Sequence, residues 1–435
     1  MSSSKVTELT SLVAPTRDDL LYVVDDAAGT PADYKTTVQG LIGGPVLFVA
    51  ASDAMAISTK NADYVCDGTA DDVQIQAAID DLPAAGGTVA LSEGTFTLAE
   101  GGTEPQWGYS YGVLINKPIR FIGNRSVLTI PDSAAMSNNG FCLLHPYNTN
   151  DVRIENISID GNGSNQGANL IMGIYGHTVE RLAVVGCDLQ DTAGYAINAD
   201  VNCTYCQIVN NYVHDNPGAG HHGIALHNSG DFNVISGNTV EGVGSYGIMV
   251  DTANEFAIVG NVINSALYLI AIADSSSRGT VVGNHLYGDI GTSLTIYTDA
   301  GSSGILITGN TIRAHSAFQG EVELSASSVV VNNNVLINGA LQNVAADAIV
   351  RNNTGWVTEN SGTGTIGNGT TSVAITHGLS VTPAINDISV TLAEDPTNTP
   401  GAIWVDTIGA AQFTVNCEND PGASNLDFGW RAVVL

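Results

Sequence analysis

Basic residues are scarce in this chain. Its 435 residues include 13 Lys and Arg against 43 Asp and Glu, which gives a net charge of −30. Nucleic-acid binding depends on clustered Lys and Arg that contact phosphates, so this balance argues against a nucleic-acid partner. Apolar residues nevertheless make up 44% of the chain, so the sequence can build a core and is not a disordered acidic tail.

Long apolar runs and a disulfide framework are also missing. No run approaches the roughly 20 apolar residues of a membrane-spanning helix, so no membrane insertion is expected. The first residues, from Met1 to Glu8, lack the apolar core of a secretion signal. If the protein acts outside a cell, it is therefore expected to leave the cell by another route, such as lysis or release within a particle. The six cysteines are scattered, and Cys203 and Cys206 are expected to be buried thiols rather than part of a zinc site.

What the sequence does contain is an internal repeat. Between about residues 152 and 356, an aliphatic–Gly/Asn–Asn phrase returns with final asparagines at Asn211, Asn238, Asn261, Asn284, Asn310, Asn334 and Asn353. Each unit holds short β-branched runs separated by Gly, Asn, Asp and Ser, which is typical of strands joined by turns. Stacked units of this kind predict a parallel β-solenoid in which the asparagines bond one coil to the next.

The regions on either side of the repeat predict other structures. An apolar stripe at helical spacing predicts a capping helix near 71–82, formed by Ile75, Ala78, Ile79 and Leu82. After a glycine-rich break at 360–369, short strands predict an antiparallel, sandwich-like unit. The predicted fold is therefore all-β, with a segment at 1–45, a β-helix at 46–358 and a β-domain at 361–435.

The segment around the predicted helix resembles a known family. Asp67–Ile79, Gly86–Val89 and Gly94–Phe96 resemble the first coil of right-handed parallel β-helix proteins of the pectate-lyase-like superfamily, which includes bacteriophage tailspikes and polysaccharide-degrading enzymes. Six further segments resemble phage tail proteins: Val6–Thr10, Asp18–Asp26, Gly29–Pro31, Thr376–Leu379, Ile403–Asp406 and Phe413–Asn416. The resemblance implies a virion-associated homotrimer whose residues 1–45 attach it to the phage tail or baseplate or hold the trimer. It implies no single activity, because the superfamily contains hydrolases, lyases, epimerases and plain binders.

Acidic residues fall into one column when the strands before the asparagine phrase are aligned. The strands that match are Tyr195–Asp200, His222–His227, Tyr246–Asp251 and Leu269–Asp274. Because parallel strands stack about 4.8 Å apart, this alignment predicts a column, called here the acidic column, of Asp200, His227, Asp251 and Asp274, with His177 and Asp299 as extensions. With Ile248 and Val250 pointing inward, alternation turns Asp251 outward.

Paired carboxylates are what glycoside hydrolysis requires, one as proton donor and one as base or nucleophile. Adjacent coils predict a separation of about 5 Å between Asp251 and Asp274, which suits retention, whereas Asp200 and Asp251 are predicted about 10 Å apart, at the long end of the inverting range. Like charges this close raise one pKa, as a general acid requires. His227 could position a water or share a proton. The predicted catalytic residues are therefore Asp251, Asp274, Asp200 and His227.

Neighbouring positions are candidates for substrate binding. The aligned strands begin with Tyr195, His222 and Tyr246. A second column follows the asparagine phrase and consists of Gln190, His214, Glu241, Asn264, Tyr287 and Arg313. A mixed solvated face is the simpler interpretation of this column, with Glu241 and His214 as reserve candidates. The stripe two places before the acidic column predicts a sugar platform or a contact between chains, and it consists of Asn198, Ala225, Met249 and Ile272.

Two other interpretations of the acidic column stay open. Asp and His at strand ends are ordinary turn residues, and stacked carboxylates without nearby Lys or Arg also suit Ca²⁺. No cofactor is expected to be required, but Ca²⁺ stays open. Elimination from a polyuronate fits less well, because it needs positive charge at the substrate carboxylate and the repeat contains five Arg and no Lys.

The sequence and the resemblance together predict a tailspike-like protein that binds and hydrolyses a host surface polysaccharide. An acidic groove favours a neutral or cationic glycan. The alternatives are a non-enzymatic receptor-binding or structural tail fibre, and a Ca²⁺-dependent polysaccharide lyase.

Overall fold

The computed structural model describes strands 20–24 and 33–37 and residues 44–434, apart from 105, 107, 139, 168, 265, 289–293, 314–321, 338–340, 343, 346 and 394–395. Most of this part is a parallel β-solenoid, and antiparallel sheets follow it, so the predicted all-β fold is confirmed. Leu20–Val24 pairs antiparallel with Asp33–Thr37. The rest of residues 1–43, on which the attachment prediction depends, lies outside the described residues.

One face of the solenoid, called here the groove sheet, consists of eleven described strands. All pairings are parallel except that of the first strand with the second. The strands are Gly102–Thr103, Ser110–Ile115, Gly140–Asn150, Leu170–Glu180, Tyr195–Asp200, His222–His227, Tyr246–Asp251, Tyr268–Ala273, Leu294–Thr298, Val322–Leu324 and Leu341–Gln342.

The other faces are formed by strands, most of them three residues long, that pair with the next coil in the same way. These strands are Val46–Ala50, Tyr64–Val65, Gly87–Leu91, Gly94–Thr97, Ile119–Thr129, Arg153–Asp160, Ala183–Val185, Asp188–Gln190, Gln207–Val209, Tyr212–His214, Val234–Ser236, Thr239–Glu241, Ala257–Val259, Val262–Asn264, Thr280–Val282, His285–Tyr287, Leu306–Thr308, Thr311–Arg313, Val330–Asn332, Val335–Ile337 and Ile349–Arg351. Their inward side chains stack as aliphatic rows through the core, for example Ile208, Ile235, Ile258, Val281 and Ile307.

The asparagines of the repeat form a buried ladder. The Asn238 side-chain amide donates to the Ile208 carbonyl at 2.8 Å and to Oδ1 of Asn261 at 2.9 Å. The same Oδ1 accepts the Asn238 backbone amide at 2.9 Å, and Asn261 repeats the pattern toward Asn284. Because every polar atom of a buried amide must find a partner, this pattern ties each coil to its neighbours at a fixed register. The predicted ladder is present.

A short helix covers the first coil. It spans Asp72–Asp81, inside the predicted range of 71–82, and Ile75 and Ile79 are buried in the solenoid core. The Asp72 carboxylate accepts the Ala99 backbone amide at 2.7 Å, which fixes the helix to the following segment. A second helix spans Ala56–Asn61. Single 3₁₀ turns lie at Gly163–Asn165 and Ile385–Asp387.

The C-terminal region contains two three-stranded antiparallel sheets around a separate core. The first consists of Glu359–Ile366, Leu426–Val433 and Ile388–Leu392. The second consists of Ser372–Thr376, Gln412–Cys417 and Ile403–Asp406. His377 and Trp430 are buried there against Phe413, so their rings serve packing.

Candidate functional site

The groove sheet turns a regular set of side chains outward. In Tyr246–Asp251, Ile248 and Val250 belong to the solenoid core, as alternation predicts. Tyr246 and Asp251 point away from that core and are partly exposed. Parallel register repeats these positions from coil to coil, so each outward position becomes a row along the solenoid.

Three of the four residues predicted for the acidic column lie in register: Asp200, His227 and Asp251. Asp200 pairs in register with His227, and His227 pairs with Asp251. His227 Nδ1 lies 3.6 Å from Oδ1 of Asp200, and its Nε2 lies 3.5 Å from Oδ2 of Asp251. The imidazole therefore stands between two carboxylates that are two coils apart, about 10 Å at the backbone. His177, predicted as an extension, pairs with Asp200.

The predicted register of Asp274 is wrong by one residue. Asp251 pairs with Ala273, and Asp274 begins the turn that follows, with a φ of 51°. Thr252 and Asn228 occupy the same left-handed turn position in the two preceding coils, at φ of 53° and 46°. Asp and Asn tolerate this conformation better than most residues, which explains an Asp at the turn rather than at the strand end.

The same shift corrects one other prediction. Ile272, predicted to face outward, is fully buried in the core, and Ala271 pairs with Met249 instead. The strand that carries them spans Tyr268–Ala273 rather than 269–274, so its first outward side chain is Tyr268.

Asp274 nevertheless reaches the acidic column. The negative charge of Asp251 is the main cause that raises the pKa of Asp274 above its usual range, and burial and hydrogen bonding to the Asp251 carboxyl group add to it. Asp274 therefore keeps its proton to higher pH than an ordinary aspartate does. The backbone amide of Asp274 donates to Oδ2 of Asp299 at 2.8 Å. The Thr252 hydroxyl donates to Oδ1 of Asp251 at 2.8 Å.

Asp200 and His227 form the other half of the column. Asp200 is buried and accepts hydrogen bonds from the Tyr175 hydroxyl at 2.9 Å and from the Val201 amide at 2.8 Å. These donors hold one orientation of the carboxylate. Interaction with Asp200 is the first cause that raises the pKa of His227, and the charges of Asp251 and Asp274 add to it. Protonated His227 can therefore offset part of the negative charge of the column.

An aromatic row runs beside the acidic column. Its ring centroids are separated by 4.6 Å between Tyr195 and His222, 5.1 Å between His222 and Tyr246, and 5.0 Å between Tyr246 and Tyr268. Burial lowers the pKa of His222 to about 4, so this ring is neutral at pH 7 and continues the row as an uncharged surface. The row is the outward edge of the same strands that carry Asp200, His227 and Asp251. Sequence alignment had included its first three members and missed Tyr268.

A short segment covers the outward face at the preceding coils. Gly102–Thr103 pairs antiparallel with Ser110–Ile115, and the Tyr109 ring packs edge-on against Tyr175 with centroids 5.8 Å apart. The buried carboxylate of Glu104 lies 3.2 Å from Nδ1 of His177. The exposed part of the acidic column therefore begins beyond His177. Neither Glu104 nor Tyr175 is among the predicted site residues. Glu104 lies on a loop that the repeat does not specify, and Tyr175 lies on the groove strand Leu170–Glu180, one coil before the first aligned strand.

The second predicted column forms on a different face. Gln190 pairs with His214, Glu241 pairs with Asn264, and Tyr287 pairs with Arg313. Their strands are separate from the groove sheet. His214 lies 2.9 Å from Asp188 and 2.8 Å from Asp215, and Glu241 accepts the Tyr212 hydroxyl. The structure therefore does not bring Glu241 and His214, the reserve candidates, together with the acidic column.

The charges of the groove sheet limit its chemistry. None of its described strands contains Lys or Arg. Within the described ranges, no group of three or more His, Cys, Asp or Glu side chains has an arrangement that could hold a metal ion. Among the described helices, none is long and apolar enough to cross a membrane.

Comparisons with known proteins agree with this fold. Residues 119–263 match the family described as Right handed beta helix region. ORF18 of Geobacillus virus E2 is 15% identical, with a TM-score of 0.56 over 93% of this chain and 86% of that one. The tailspike protein gp49 of Pseudomonas phage LKA1 is 12% identical, with a TM-score of 0.50 over 93% of this chain and 68% of that one.

A bacterial enzyme has a similar fold. The GH136 lacto-N-biosidase of Eubacterium ramulus is 12% identical, with a TM-score of 0.52 over 72% of this chain and 68% of that one. No curated protein sequence matches the chain. At these low identities the similarities show the fold and nothing further. The fold is that of a right-handed parallel β-helix protein.

Proposed function

We propose that this protein is a tailspike-like, virion-associated homotrimer that binds a host surface polysaccharide in the groove sheet and hydrolyses it. One observation carries the proposal: the acidic column, in which His227 stands between Asp200 and Asp251, lies beside a continuous row of aromatic rings on the same strands. Aromatic surfaces bind the apolar faces of sugar rings, and a carboxyl group that keeps its proton can act as a general acid. The tailspike and the lacto-N-biosidase among the similar folds support this class of substrate.

The arrangement of carboxylates favours inversion over retention. Asp274 lies in the turn after its strand, because Asp251 pairs with Ala273, so this pair lacks the in-register, adjacent-coil geometry on which the predicted separation of about 5 Å for retention depends. Asp200 and Asp251 lie two coils apart, near the upper end of the roughly 6.5–9.5 Å of inverting enzymes. In this mechanism the Asp251–Asp274 pair protonates the glycosidic oxygen. Asp200, held by Tyr175, takes a proton from the water that attacks the anomeric carbon from the opposite side.

The acidic groove favours a neutral or cationic glycan. A polyuronate would bring further carboxylates to strands that contain no described Lys or Arg. His227 supplies the positive charge that the column itself can carry, between Asp200 and Asp251.

Incubation with purified surface polysaccharides of candidate hosts tests the activity. Hydrolysis releases reducing ends without absorbance at 235 nm, whereas a lyase produces the unsaturated product that absorbs there. Activity that disappears with a chelator and returns with Ca²⁺ would favour the lyase over the proposed hydrolase. Sedimentation tests the trimer, because a species of one 44.9 kDa chain alone would contradict it.

A binding-only tail fibre is the second candidate, and specific contacts favour it. Asp200 accepts the amide of the next residue, and Asp299 accepts the Asp274 amide, as carboxylates that stabilise turns do. The aromatic row would then bind glycan without cleavage. Saturable binding of an authentic host polysaccharide without any shortening of its chains would establish this alternative.

A further inference from the structure

A second group of aromatic rings lies outside the groove sheet. In six successive coils, the turn after the groove strand holds a residue at left-handed φ at one equivalent position beyond the strand end: Asp151 at 53°, Arg181 at 62°, Tyr205 at 55°, Phe232 at 64°, Glu255 at 51° and Arg278 at 55°. A bulky side chain at positive φ is uncommon. Two consecutive coils place aromatic residues in this strained position.

The two rings form a rigid, exposed pair. The centroids of Tyr205 and Phe232 are 5.1 Å apart, and their planes differ by 18°. Tyr205 is 50% exposed and Phe232 is 45% exposed, and neither belongs to the hydrophobic core. Core packing therefore does not account for them. Phe232 backs one face of the Tyr205 ring and restricts its orientation.

A cavity lies on the side of Tyr205 that faces the preceding coil. Its volume is about 530 Å³, and its lining consists of Glu180, Arg181, Leu182, Ala183, Tyr205 and Gln207. This volume falls within the roughly 300–1,000 Å³ of small-molecule sites. Arg181, which is part of this lining, also pairs with Asp151, with Nε 2.6 Å from Oδ1 and Nη2 3.0 Å from Oδ2.

The lining has the chemistry of a sugar site. Tyr205 supplies a flat aromatic surface and Ala183 a small apolar one, which suits the C–H face of a sugar ring, and the Leu182 side chain is buried in the core beneath them. Gln207, Glu180 and Arg181 supply planar donors and acceptors for hydroxyl groups. Because Asp151 and Glu180 both pair with Arg181, the cavity has no net positive charge to attract an acidic sugar.

We propose that this cavity is a second carbohydrate site, which takes a sugar unit of a neutral glycan against Tyr205. It lies on a turn rather than on the groove sheet, so it does not depend on hydrolysis by the acidic column. Two sites on one rod raise the effective concentration of a long polymer at the groove, which strengthens binding without new contacts there.

Fluorine NMR of the full chain labelled with 3-fluorotyrosine tests this site separately from the groove. The resonance lost in Tyr205→Phe belongs to Tyr205, and the one lost in Tyr212→Phe assigns an exposed tyrosine on another face as the matched control. The probes are neutral hexasaccharides of glucose, galactose and mannose, with trigalacturonate as the acidic comparison. We expect at least one neutral probe to shift the Tyr205 resonance saturably and leave Tyr212 unchanged.

Removal of the backing ring gives a second measurement. Phe232→Ala should weaken the apparent affinity reported by Tyr205 about five- to tenfold, because the ring loses its stacked partner. The proposal is overturned if no neutral probe shifts Tyr205, if Tyr212 shifts equally, or if trigalacturonate binds more tightly than the neutral probes. Loss of hydrolysis in the groove would leave these outcomes unchanged, so the two proposals fail separately.

Discussion

The asparagine ladder and the acidic column are both polar rows repeated once per coil, but their side chains make different contacts. In the ladder, the amide of Asn261 is buried and bonds to both neighbouring coils. In the acidic column, Asp251 faces outward, and its partners are an imidazole, a hydroxyl and another carboxyl group. The regular spacing of a polar residue therefore indicates the register of the coils. Side-chain charges that their neighbours neutralise only in part indicate a place where chemistry can occur.

The largest expected effect is on turnover. Asp251→Asn should lower the rate of polysaccharide cleavage about 10²–10⁴-fold, because the variant loses a general acid–base group. Its melting temperature should change little, since a partly exposed side chain contributes little to stability. Reducing-end assays and thermal unfolding of the same samples check both expectations. Full specific activity combined with a much lower melting temperature would make the column structural.

A ladder variant should show the opposite behaviour. Asn261→Ala leaves the Asn238 backbone amide and the Ile235 carbonyl without this partner, and each buried unsatisfied group costs about 1–3 kcal/mol. We therefore expect a loss of about 2–5 kcal/mol in the free energy of unfolding, with the rate per folded molecule retained. Denaturant unfolding measures this loss, with exposed Asn61→Ala as the matched control. An effect equal to that of the control would contradict the ladder.

The aromatic row should act on binding rather than on chemistry. Tyr246→Ala should raise KM about five- to tenfold, with a smaller effect on kcat, because it interrupts the stacked surface between His222 and Tyr268. Tyr246→Phe keeps the ring and should behave like the parent protein. Initial-rate kinetics on a defined oligosaccharide separate the two constants. A fall in kcat at unchanged KM would argue against a binding surface.

The smallest expected effect is a pH dependence of stability. Asp200 raises the pKa of His227, so protonated His227 stabilises the folded state. This contribution is fully present below the usual histidine pKa of about 6.5 and is lost as pH rises through the raised value. The melting-temperature difference between the parent protein and His227→Gln should therefore be larger at acidic pH than at alkaline pH. The deficit of Asn261→Ala should not follow this trend, and a His227→Gln difference that grows with pH would have the wrong sign.

Repetition explains which features could be predicted from the sequence. Every coil repeats the same sequence pattern. Alignment of the coils therefore predicts the solenoid, the position of Asn261 and the in-register pairing of His227 with Asp200 and Asp251. The position of Asp274 does not, because turns between coils absorb single-residue differences in length. Matching Tyr268 with Tyr246 would have corrected it.

Contacts made from outside the repeat could not be predicted. Glu104 reaches His177 from a loop, and no periodic signal specifies where a loop packs. The cavity at Tyr205 includes Arg181, and sequence spacing does not determine that this side chain pairs with Asp151. Side-chain direction, rather than strand register, therefore limits what alignment reveals about sites.

The most direct test of the central claim is a crystal structure of Asp251→Asn with an oligosaccharide from a host polysaccharide that the parent protein cleaves. We expect the sugar chain to lie along Tyr195, His222, Tyr246 and Tyr268, with a glycosidic oxygen within hydrogen-bond distance of residue 251 or Asp274. A sugar chain bound only to other surfaces, with none on the groove sheet, would contradict the account.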